Sequence, residues 1–410
     1  MNPAGQLHIQ LNWQGGSVQG VALSSSRPFH ALRVFNGKTP EQLLTMVPLL
    51  FNVCGIAQGH AAIEASRQAL AMQPDFAGQR ARQMLVLLET AREHGWRIMS
   101  DWPSFADLPA EKPQWARLSS LMGEFKAALF KDGDAFNLNS AVKIDHGRLQ
   151  RGIAELEALL DEQIFAGRLR EWRSVNDIAA FSDWLSDNPG IAAQLLKRLI
   201  AEGLASSGRC PSAWLPALNA TELHQILSGP QAKEFIETPV WNGQACETGA
   251  LNRQRHQPLI NSLLHEYGNG LVTRLAACLS ELADIPPRLW QCLNELNDNS
   301  AVVPDSNGFT KNGCCLAQVE AARGLLIHRL VLEQGRIVSY QVVAPTEWNF
   351  HPAGVAAQAL RGLVADDETL LRHQAAMLIC AIDPCVGYRL TIAPDSVKMQ
   401  PRVTGGNDHA

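Results

Sequence analysis

The clearest structural pattern in this chain is the segment Glu320-Ala-Ala-Arg-Gly-Leu-Leu-Ile-His-Arg-Leu-Val-Leu-Glu-Gln-Gly-Arg-Ile-Val-Ser-Tyr-Gln-Val-Val-Ala-Pro-Thr-Glu-Trp-Asn349. Two runs rich in β-branched and aliphatic residues, 325–333 and 336–344, lie on either side of Gln334-Gly335. Strand-forming runs joined by a short turn that contains glycine are typical of a β-hairpin. The segment therefore predicts a sheet in the C-terminal part of the chain.

A second hairpin is predicted near the N-terminus, where residues 7–23 alternate apolar and polar side chains around Gly15-Gly16. From about residue 39 the period of the pattern changes. Residues 41–72 and 79–99 repeat apolar side chains at helical spacing. They predict two long helices.

Helical patterns continue through residues 103–298 and return in a short helix over 367–381. The short helix must end at Asp383-Pro384, because proline cannot continue a helix. Cys385 is therefore expected on a loop just beyond a helix end. The predicted breaks in the middle region are Pro189-Gly190, the loop 206–211 and Pro286-Pro287.

The predicted fold class is α+β and helix-dominated, with a central helical bundle and peripheral β-hairpins. We expect residues 1–410 to form a single domain. Its parts are an N-terminal β region (1–38), the helical bundle (39–300), a region of hairpin, helix and cysteine loop (301–402) and a loose tail (403–410).

Composition limits the classes of partner. Of the 410 residues, 46% are apolar, the formal net charge is −5, and no run of Lys or Arg stands out, which argues against nucleic acid as a ligand. The N-terminus lacks the pattern of a leader, and no window holds a membrane-length apolar run, so we expect a cytoplasmic protein without membrane insertion. The odd, irregularly spaced set of nine cysteines indicates reduced thiols, and each is a candidate ligand or nucleophile.

Two cysteine segments are the strongest candidates for chemistry: Phe51-Asn-Val-Cys-Gly-Ile-Ala-Gln-Gly-His60-Ala-Ala-Ile-Glu-Ala65 and Ile382-Asp-Pro-Cys-Val-Gly-Tyr-Arg-Leu-Thr391. From the residues alone, Cys54 fits a metal ligand and a small buried thiol equally well. His60 alone favours a structural role. No pairs of ligands occur at zinc-finger spacing, which argues against a structural zinc site.

These two segments resemble signatures of the nickel–iron hydrogenase large subunit, a Cys-Gly-x-Cys and an Asp-Pro-Cys-x-x-Cys, each followed by a histidine. Here each pair keeps its first member, Cys54 or Cys385. Ala57, Tyr388 and Thr391 stand where the family has the two bridging cysteines and the terminal histidine. An Arg-x-Glu-Gly-His element is also missing, so the resemblance implies neither nickel binding nor hydrogenase turnover.

Other parts of the resemblance retain the family pattern. Residues 320–324 and 336–349 are similar to the family's Glu-x-Pro-Arg-Gly and Val-Pro-x-Thr-Trp-Asn elements, which hold the cyanide ligands of the iron. The resemblance assigns that role to Arg323, Pro345 and Thr346, with His60 as a further cofactor-binding residue. Hydrogen-bond donors suit a bound cyanide, since its nitrogen is an anionic acceptor. The segment 239–253 also resembles the family and is expected to support the fold.

The chain keeps the residues that surround the iron in the family but only one cysteine of each pair. This combination resembles the HupK/HoxV group of hydrogenase maturation proteins. The resemblance implies a scaffold, not an enzyme, which binds the Fe(CN)2(CO) fragment through Cys54 and Cys385 and transfers it to the apo large subunit. The implied partners are HypC-type chaperones, the large subunit precursor and other hydrogenase accessory proteins. The alternative is a metal-free mimic of the large subunit that recruits these partners. Cys314, Cys315 and Cys380 have no counterpart in the family pattern.

Overall fold

A computed structural model describes residues 5–27, 29–51, 53–109, 115–297, 309–311 and 313–393. Helices dominate these residues and accompany three small sheets, which confirms the predicted α+β class. The predicted tail 403–410 lies outside the described residues. The single-domain boundaries stay a prediction.

The strands form sheets in the orders β2-β1-β9, β3-β4 and β5-β6-β7-β8. Their bounds are β1 (Leu7–Gln14), β2 (Ser17–Ser25), β3 (Ala213–Trp214), β4 (Cys246–Glu247), β5 (Phe309–Lys311), β6 (Cys314–Ala321), β7 (Gly324–Glu333), β8 (Arg336–Val343) and β9 (Tyr388–Ala393).

The helices cover most of the chain between the first and third sheets. Their bounds are α1 (Pro40–Leu50), α2 (Gly55–Ala69), α3 (Phe76–Ser100), α4 (Trp102–Phe105), α5 (Trp115–Leu129), α6 (His146–Gln163), α7 (Leu169–Trp172), α8 (Ile178–Ser186), α9 (Ile191–Ala201), α10 (Ala220–Ser228), α11 (Ala232–Glu237), α12 (Ala250–Gln254), α13 (Pro258–Tyr267), α14 (Leu271–Asn297), α15 (Pro345–Asn349), α16 (Val355–Arg361) and α17 (Glu368–Ile382).

The first sheet joins the two ends of the described chain. β1 and β2 form the predicted hairpin, whose turn residues Gly15 and Gly16 have φ of 57° and 81°. β9 pairs with the other edge of β1 in parallel, with Leu7 opposite Tyr388. The N-terminal hairpin therefore lies beside the strand that follows Cys385.

The single helix predicted over 41–72 is wrong, because the chain forms α1 and α2 there. Pro48 lies in the last turn of α1 and removes a backbone donor. The end of α1 also passes close to the start of α2, since a Cβ on Gly55 would lie 3.1 Å from the Pro48 carbonyl oxygen. The helix predicted over 79–99 is confirmed as α3.

The break predicted at Pro286-Pro287 is also wrong, because α14 continues through both prolines. Pro287 has no N–H to donate to the Ala283 carbonyl. The Arg173 Nε donates to that carbonyl instead, at 3.0 Å. The side chain of a residue just after α7 thus compensates for a missing helical hydrogen bond. The other two predicted breaks lie between α8 and α9 and between α9 and β3.

The third sheet contains the second predicted hairpin, β7 and β8. Its turn residues Gln334 and Gly335 both have positive φ, as a tight hairpin turn requires. β7 is almost entirely buried, and α2 packs against β6 and β7 on one side and α1 and α3 on others. Four alanines of α2 that are fully buried allow this close approach: Ala57, Ala61, Ala62 and Ala65.

The helix predicted over 367–381 is confirmed as α17, which Asp367 caps. It ends at Asp383, whose φ of 57° is left-handed, and Pro384 follows. Cys385 therefore lies on the predicted loop. No helix in the described part of the chain is both long enough and apolar enough to span a membrane.

Candidate functional site

Cys54 and Cys385 lie near enough for their charges to interact, although they come from opposite ends of the chain. Burial, followed by the Cys385 thiol and the Glu89 carboxylate, raises the pKa of Cys54 to about 12. Arg27 interacts electrostatically with both sulfur atoms, and so does Arg323. The two cysteine segments thus form one site, which sequence spacing alone could not establish.

Cys54 is the residue that precedes α2, and a carboxylate from α3 fixes its position. Glu89 accepts hydrogen bonds from the backbone N–H groups of Ile56 at 2.9 Å and Ala57 at 3.0 Å. These donors would otherwise be unsatisfied at a helix start. Burial raises the pKa of Glu89 to about 7 against the opposing effect of the two hydrogen bonds. The start of α2 is therefore tied to a buried group that titrates near neutral pH.

A buried hydrogen-bond chain runs from Cys54 into the third sheet. The Gln58 amide nitrogen donates to the Cys54 sulfur at 3.6 Å, and the Gln58 amide oxygen lies 2.8 Å from His328 Nε2. The other ring nitrogen of His328 lies 2.6 Å from the Tyr340 hydroxyl. Burial lowers the pKa of His328 to about 3, so its ring is neutral and carries one N–H. With Tyr340 donating to Nδ1, the His328 Nε2–H donates to Gln58, and the chain directs an amide N–H at the sulfur.

Cys385 is held by Thr346, one of the residues that the resemblance predicted. The Thr346 hydroxyl oxygen accepts from the Cys385 backbone N–H at 3.2 Å and lies 2.7 Å from the Cys385 sulfur. A hydroxyl has one donor and two acceptor sites, so the same group can bind the N–H and also donate to the sulfur when Cys385 is a thiolate. Pro345 is the first residue of α15 and sets the turn that places Thr346 here.

Arg323 lies beside the same loop and is 7% exposed. Its guanidinium is 3.2 Å from Glu93 and 3.1 Å from Asp383. Arg97 shares Asp383 at 2.7 Å and donates to the Pro384 carbonyl at 3.2 Å. Two arginines therefore clamp the residues immediately before Cys385.

The backbone at Arg323 is fixed by close packing. Gly324 has φ of 127°, and a Cβ there would lie 2.4 Å from the Thr248 methyl carbon. The Thr248 hydroxyl accepts from the Leu325 N–H at 3.0 Å, and Asn349 accepts from the Thr248 N–H at 2.9 Å. The segment 239–253 thus supports Arg323, as the sequence predicted for the fold.

Arg27 and Glu347 also belong to the pocket, and sequence analysis missed both. Arg27 Nη2 donates to the Cys385 sulfur at 3.6 Å, and Nη1 lies 2.8 Å from Glu347. A sequence signal existed, because Glu347 stands where the hydrogenase element has a threonine. A carboxylate that is buried, as Glu347 is, requires a cation nearby.

His60 has contacts of a different kind. Its Nε2 is 3.9 Å from Glu64, and burial together with Arg82 lowers the pKa of His60 to about 3. The ring lines a cavity of about 500 Å³ whose lining does not include either site cysteine. The structure thus does not group His60 with the two thiols, and its assignment to cofactor binding stays a prediction.

The positions of the lost family ligands differ in their surroundings. Ala57 is fully buried, whereas Tyr388 is 38% exposed at the start of β9. Cys380 has a different partner, since its sulfur lies 3.7 Å from an Asp101 oxygen. Among the described residues, no group of three or more His, Cys, Asp or Glu side chains is arranged to hold a metal ion. The pocket offers two sulfur ligands surrounded by hydrogen-bond donors.

Comparison with known proteins gives close matches along nearly the whole chain. The HoxV hydrogenase expression/formation protein of Cupriavidus necator is 30% identical, over 96% of this chain and 98% of the relative. HupV of Azotobacter chroococcum and HupK of Azotobacter vinelandii, which carry the same description, are each 28% identical over 95% of this chain and 99% of their own. The profile of the nickel-dependent hydrogenase family matches residues 216–386.

Solved structures show the same fold at greater distance. The [NiFeSe] hydrogenase of Desulfovibrio vulgaris Hildenborough is 16% identical, with a TM-score of 0.64 over 91% of this chain and 94% of that chain. The enzyme of Desulfomicrobium baculatum is 14% identical, also with a TM-score of 0.64. At this identity the comparison shows the architecture alone.

Proposed function

This chain belongs to the family of hydrogenase expression/formation proteins that includes HoxV, HupV and HupK, and from that premise we propose that it is a scaffold for the Fe(CN)2(CO) fragment. In this role it binds the fragment and transfers it to the apo large subunit of a nickel–iron hydrogenase. It is an accessory protein and not a catalyst. One observation carries the proposal: Cys54 and Cys385 converge beside Arg323 and Thr346.

The donor set suits an iron that carries cyanide. Thiolates bind iron readily, and each Fe–S bond forms as the S–H bond breaks and its proton leaves to solvent. Guanidinium and hydroxyl groups suit the nitrogen of a bound cyanide. The amide of Gln58 donates to the Cys54 sulfur, and the hydroxyl of Thr346 lies within hydrogen-bond distance of the Cys385 sulfur. These contacts support two thiolates at fixed positions.

The number of ligands suits release. A hydrogenase holds its metals with four cysteines, whereas Ala57 and Tyr388 provide no sulfur here. A carrier with two thiolates binds the fragment less tightly than the acceptor does. It also lacks the further thiolates that would bind nickel beside the iron. Transfer to the large subunit is then favoured by the larger number of ligands in the acceptor.

The direct test is the infrared spectrum of protein produced together with the maturation factors. We expect bands of metal-bound cyanide and carbonyl in the wild type, and their loss in Cys54→Ala and in Cys385→Ala. Cys380→Ala is the matched control, because that thiol lies beside Asp101 and should leave the bands unchanged. Absence of the bands from the wild type would contradict iron binding.

Transfer is tested by mixing loaded protein with purified apo large subunit and separating the two. The bands should disappear from this chain and appear in the acceptor. HypC-type chaperones and other accessory proteins are the further partners in this proposal, and co-purification with each of them tests that part.

A metal-free role is the second candidate, and one observation favours it. The raised pKa of Cys54 keeps its thiol protonated at neutral pH when no metal competes for the sulfur. A mimic of the large subunit could recruit maturation partners without any ligand. Iron analysis separates the two, because the mimic would co-purify with its partners and yet contain no iron.

A further inference from the structure

Arg27 brings a positive charge from the N-terminal hairpin region into the pocket. Its side chain is 16% exposed, its Nη2 is 3.6 Å from the Cys385 sulfur, and its charge also acts on Cys54. A guanidinium carries five N–H donors in a fixed plane, so one contact to sulfur leaves further donors available. Arg27 is thus a donor group in contact with Cys385 and within electrostatic reach of Cys54.

Glu347 holds this guanidinium in place. Its side chain is 7% exposed, and one carboxylate oxygen is 2.8 Å from Arg27 Nη1. The other oxygen is buried and has no hydrogen-bond partner among the residues that the structure describes. Burial raises the pKa of Glu347, and Arg27 opposes that shift. The carboxylate therefore depends on Arg27.

The two guanidinium groups of the pocket differ in charge compensation. Arg323 faces two carboxylates, Glu93 and Asp383, at 3.2 and 3.1 Å. Among the residues that the structure describes, Arg27 has one carboxylate within ion-pair distance, that of Glu347. Arg27 is accordingly the less neutralised cation at the sulfur atoms and the better group to attract an anion.

We propose that Arg27 is a further residue of the cargo-binding pocket, where its guanidinium donates hydrogen bonds to an anionic ligand of the iron held at Cys385, with Glu347 as its positioning residue. The ligand class is a small anion such as cyanide, and neutral carbonyl is not recognised by this group. The identity of the ligand rests on the proposed function. The anion preference at Cys385 does not.

Alkylation of the empty protein tests the anion preference. Iodoacetate and iodoacetamide form the same S–C bond and release iodide, but only the first is an anion. The ratio of their rates at Cys385, followed by peptide mass spectrometry, cancels the intrinsic reactivity of the sulfur. Arg27→Met should lower this ratio about tenfold, the equivalent of one charge-assisted hydrogen bond of about 1.4 kcal/mol.

Three controls accompany the measurement. Arg27→Lys should keep the iodoacetate-to-iodoacetamide rate ratio near the wild-type value, because the positive charge remains. The same variant tests the role of the charge if Arg27→Met folds poorly. Arg33→Met removes an exposed arginine of the same region and should change nothing. Cys210, in a separate pocket beside Asn269, gives an internal ratio that should be constant.

Infrared spectra of the same variants, produced with the maturation factors, complete the test. Arg27→Met should lose most of the cyanide-bearing iron, and Arg27→Lys should retain iron but shift a cyanide band, since an ammonium cannot reproduce the planar fork. A changed alkylation ratio without any bands in the wild type would support the anion site and reject the iron cargo. If Arg27→Met and Arg27→Lys both keep the wild-type alkylation ratio and the wild-type infrared bands, the role of Arg27 is rejected and the iron-cargo proposal still stands.

Discussion

The Cys54 and Cys385 segments come from similar cysteine motifs but fix their sulfur atoms in different ways. Cys54 precedes a helix whose first N–H groups are bound by Glu89, and its sulfur meets a neutral amide. Cys385 follows a left-handed residue, and its sulfur meets a hydroxyl and a guanidinium. The Cys54 sulfur thus contacts a neutral donor, whereas the Cys385 sulfur contacts a hydroxyl and also a charged donor, Arg27.

This difference shows that a motif specifies a ligand without specifying its electrostatic surroundings. The Cys54 side depends on buried groups whose charge changes with pH. The Cys385 side depends on ion pairs among arginines and carboxylates. Substitutions on the Cys54 side should therefore change the pH dependence of stability, whereas substitutions on the Cys385 side should lower stability by breaking ion pairs.

The largest effect is expected from Asp383→Ala on the Cys385 side. Arg97 and Arg323 would lose a shared, largely buried partner, and such a loss costs about 3–5 kcal/mol of unfolding free energy. Asp383→Asn keeps the tolerance for a left-handed backbone and should cost less. Urea denaturation measures both.

The matched control is Asp101→Ala, which removes a partner of Arg97 that is 32% exposed and should cost at most about 1 kcal/mol. Equal losses in the Asp383 and Asp101 variants would mean that the clamp does not stabilise the loop.

On the Cys54 side, Glu89→Gln should remove a pH dependence. The raised pKa keeps a proton on Glu89 in the folded state up to about pH 7, whereas the unfolded state releases that proton near pH 4.5, the ordinary range of a glutamate. Unfolding free energy of the wild type should therefore fall, relative to the variant, by about 3 kcal/mol as the pH rises from about 4.5 to about 7. Parallel curves for the two proteins in urea denaturation would refute the assignment.

A smaller effect is expected from Tyr340→Phe, at the far end of the hydrogen-bond chain from Cys54. The buried Nδ1 of His328 would lose its donor, which costs about 1–2 kcal/mol. Thermal denaturation measures the loss. Phe35→Leu is the comparison for packing, since Phe35 contacts the Tyr340 ring edge-on without a hydrogen bond to His328.

The smallest effect on iron content is expected from His60→Gln. The ring contacts Glu64 and not the thiols, so the infrared bands should keep their intensity while stability changes modestly. Loss of the bands in this variant would support the cofactor-binding role that the resemblance implied for His60.

Local signals made much of the fold predictable. Both hairpins, α3 and the end of α17 follow from side-chain periodicity and from Gly or Pro at turns. The division between α1 and α2 had a local signal in Pro48, which the helical periodicity of 41–72 concealed. The continuity of α14 was not predictable in this way, because it depends on Arg173, whose partner is distant in sequence.

The site shows the same limit. Family resemblance identified Cys54, Cys385, Arg323 and Thr346, which the structure brings together. It could not identify Arg27, because no periodicity or motif links that residue to Cys385. The connection exists only through tertiary contacts.

The parallel pairing of β1 with β9 sets an order of events during synthesis. Leu7 leaves the ribosome long before Tyr388, with which it pairs. One edge of β1 therefore stays unpaired until β9 has been synthesised. Arg27 likewise waits for Cys385 until nearly all of the described chain has been translated. A ligand that needs both Cys54 and Cys385 can consequently bind only after Cys385 has been translated.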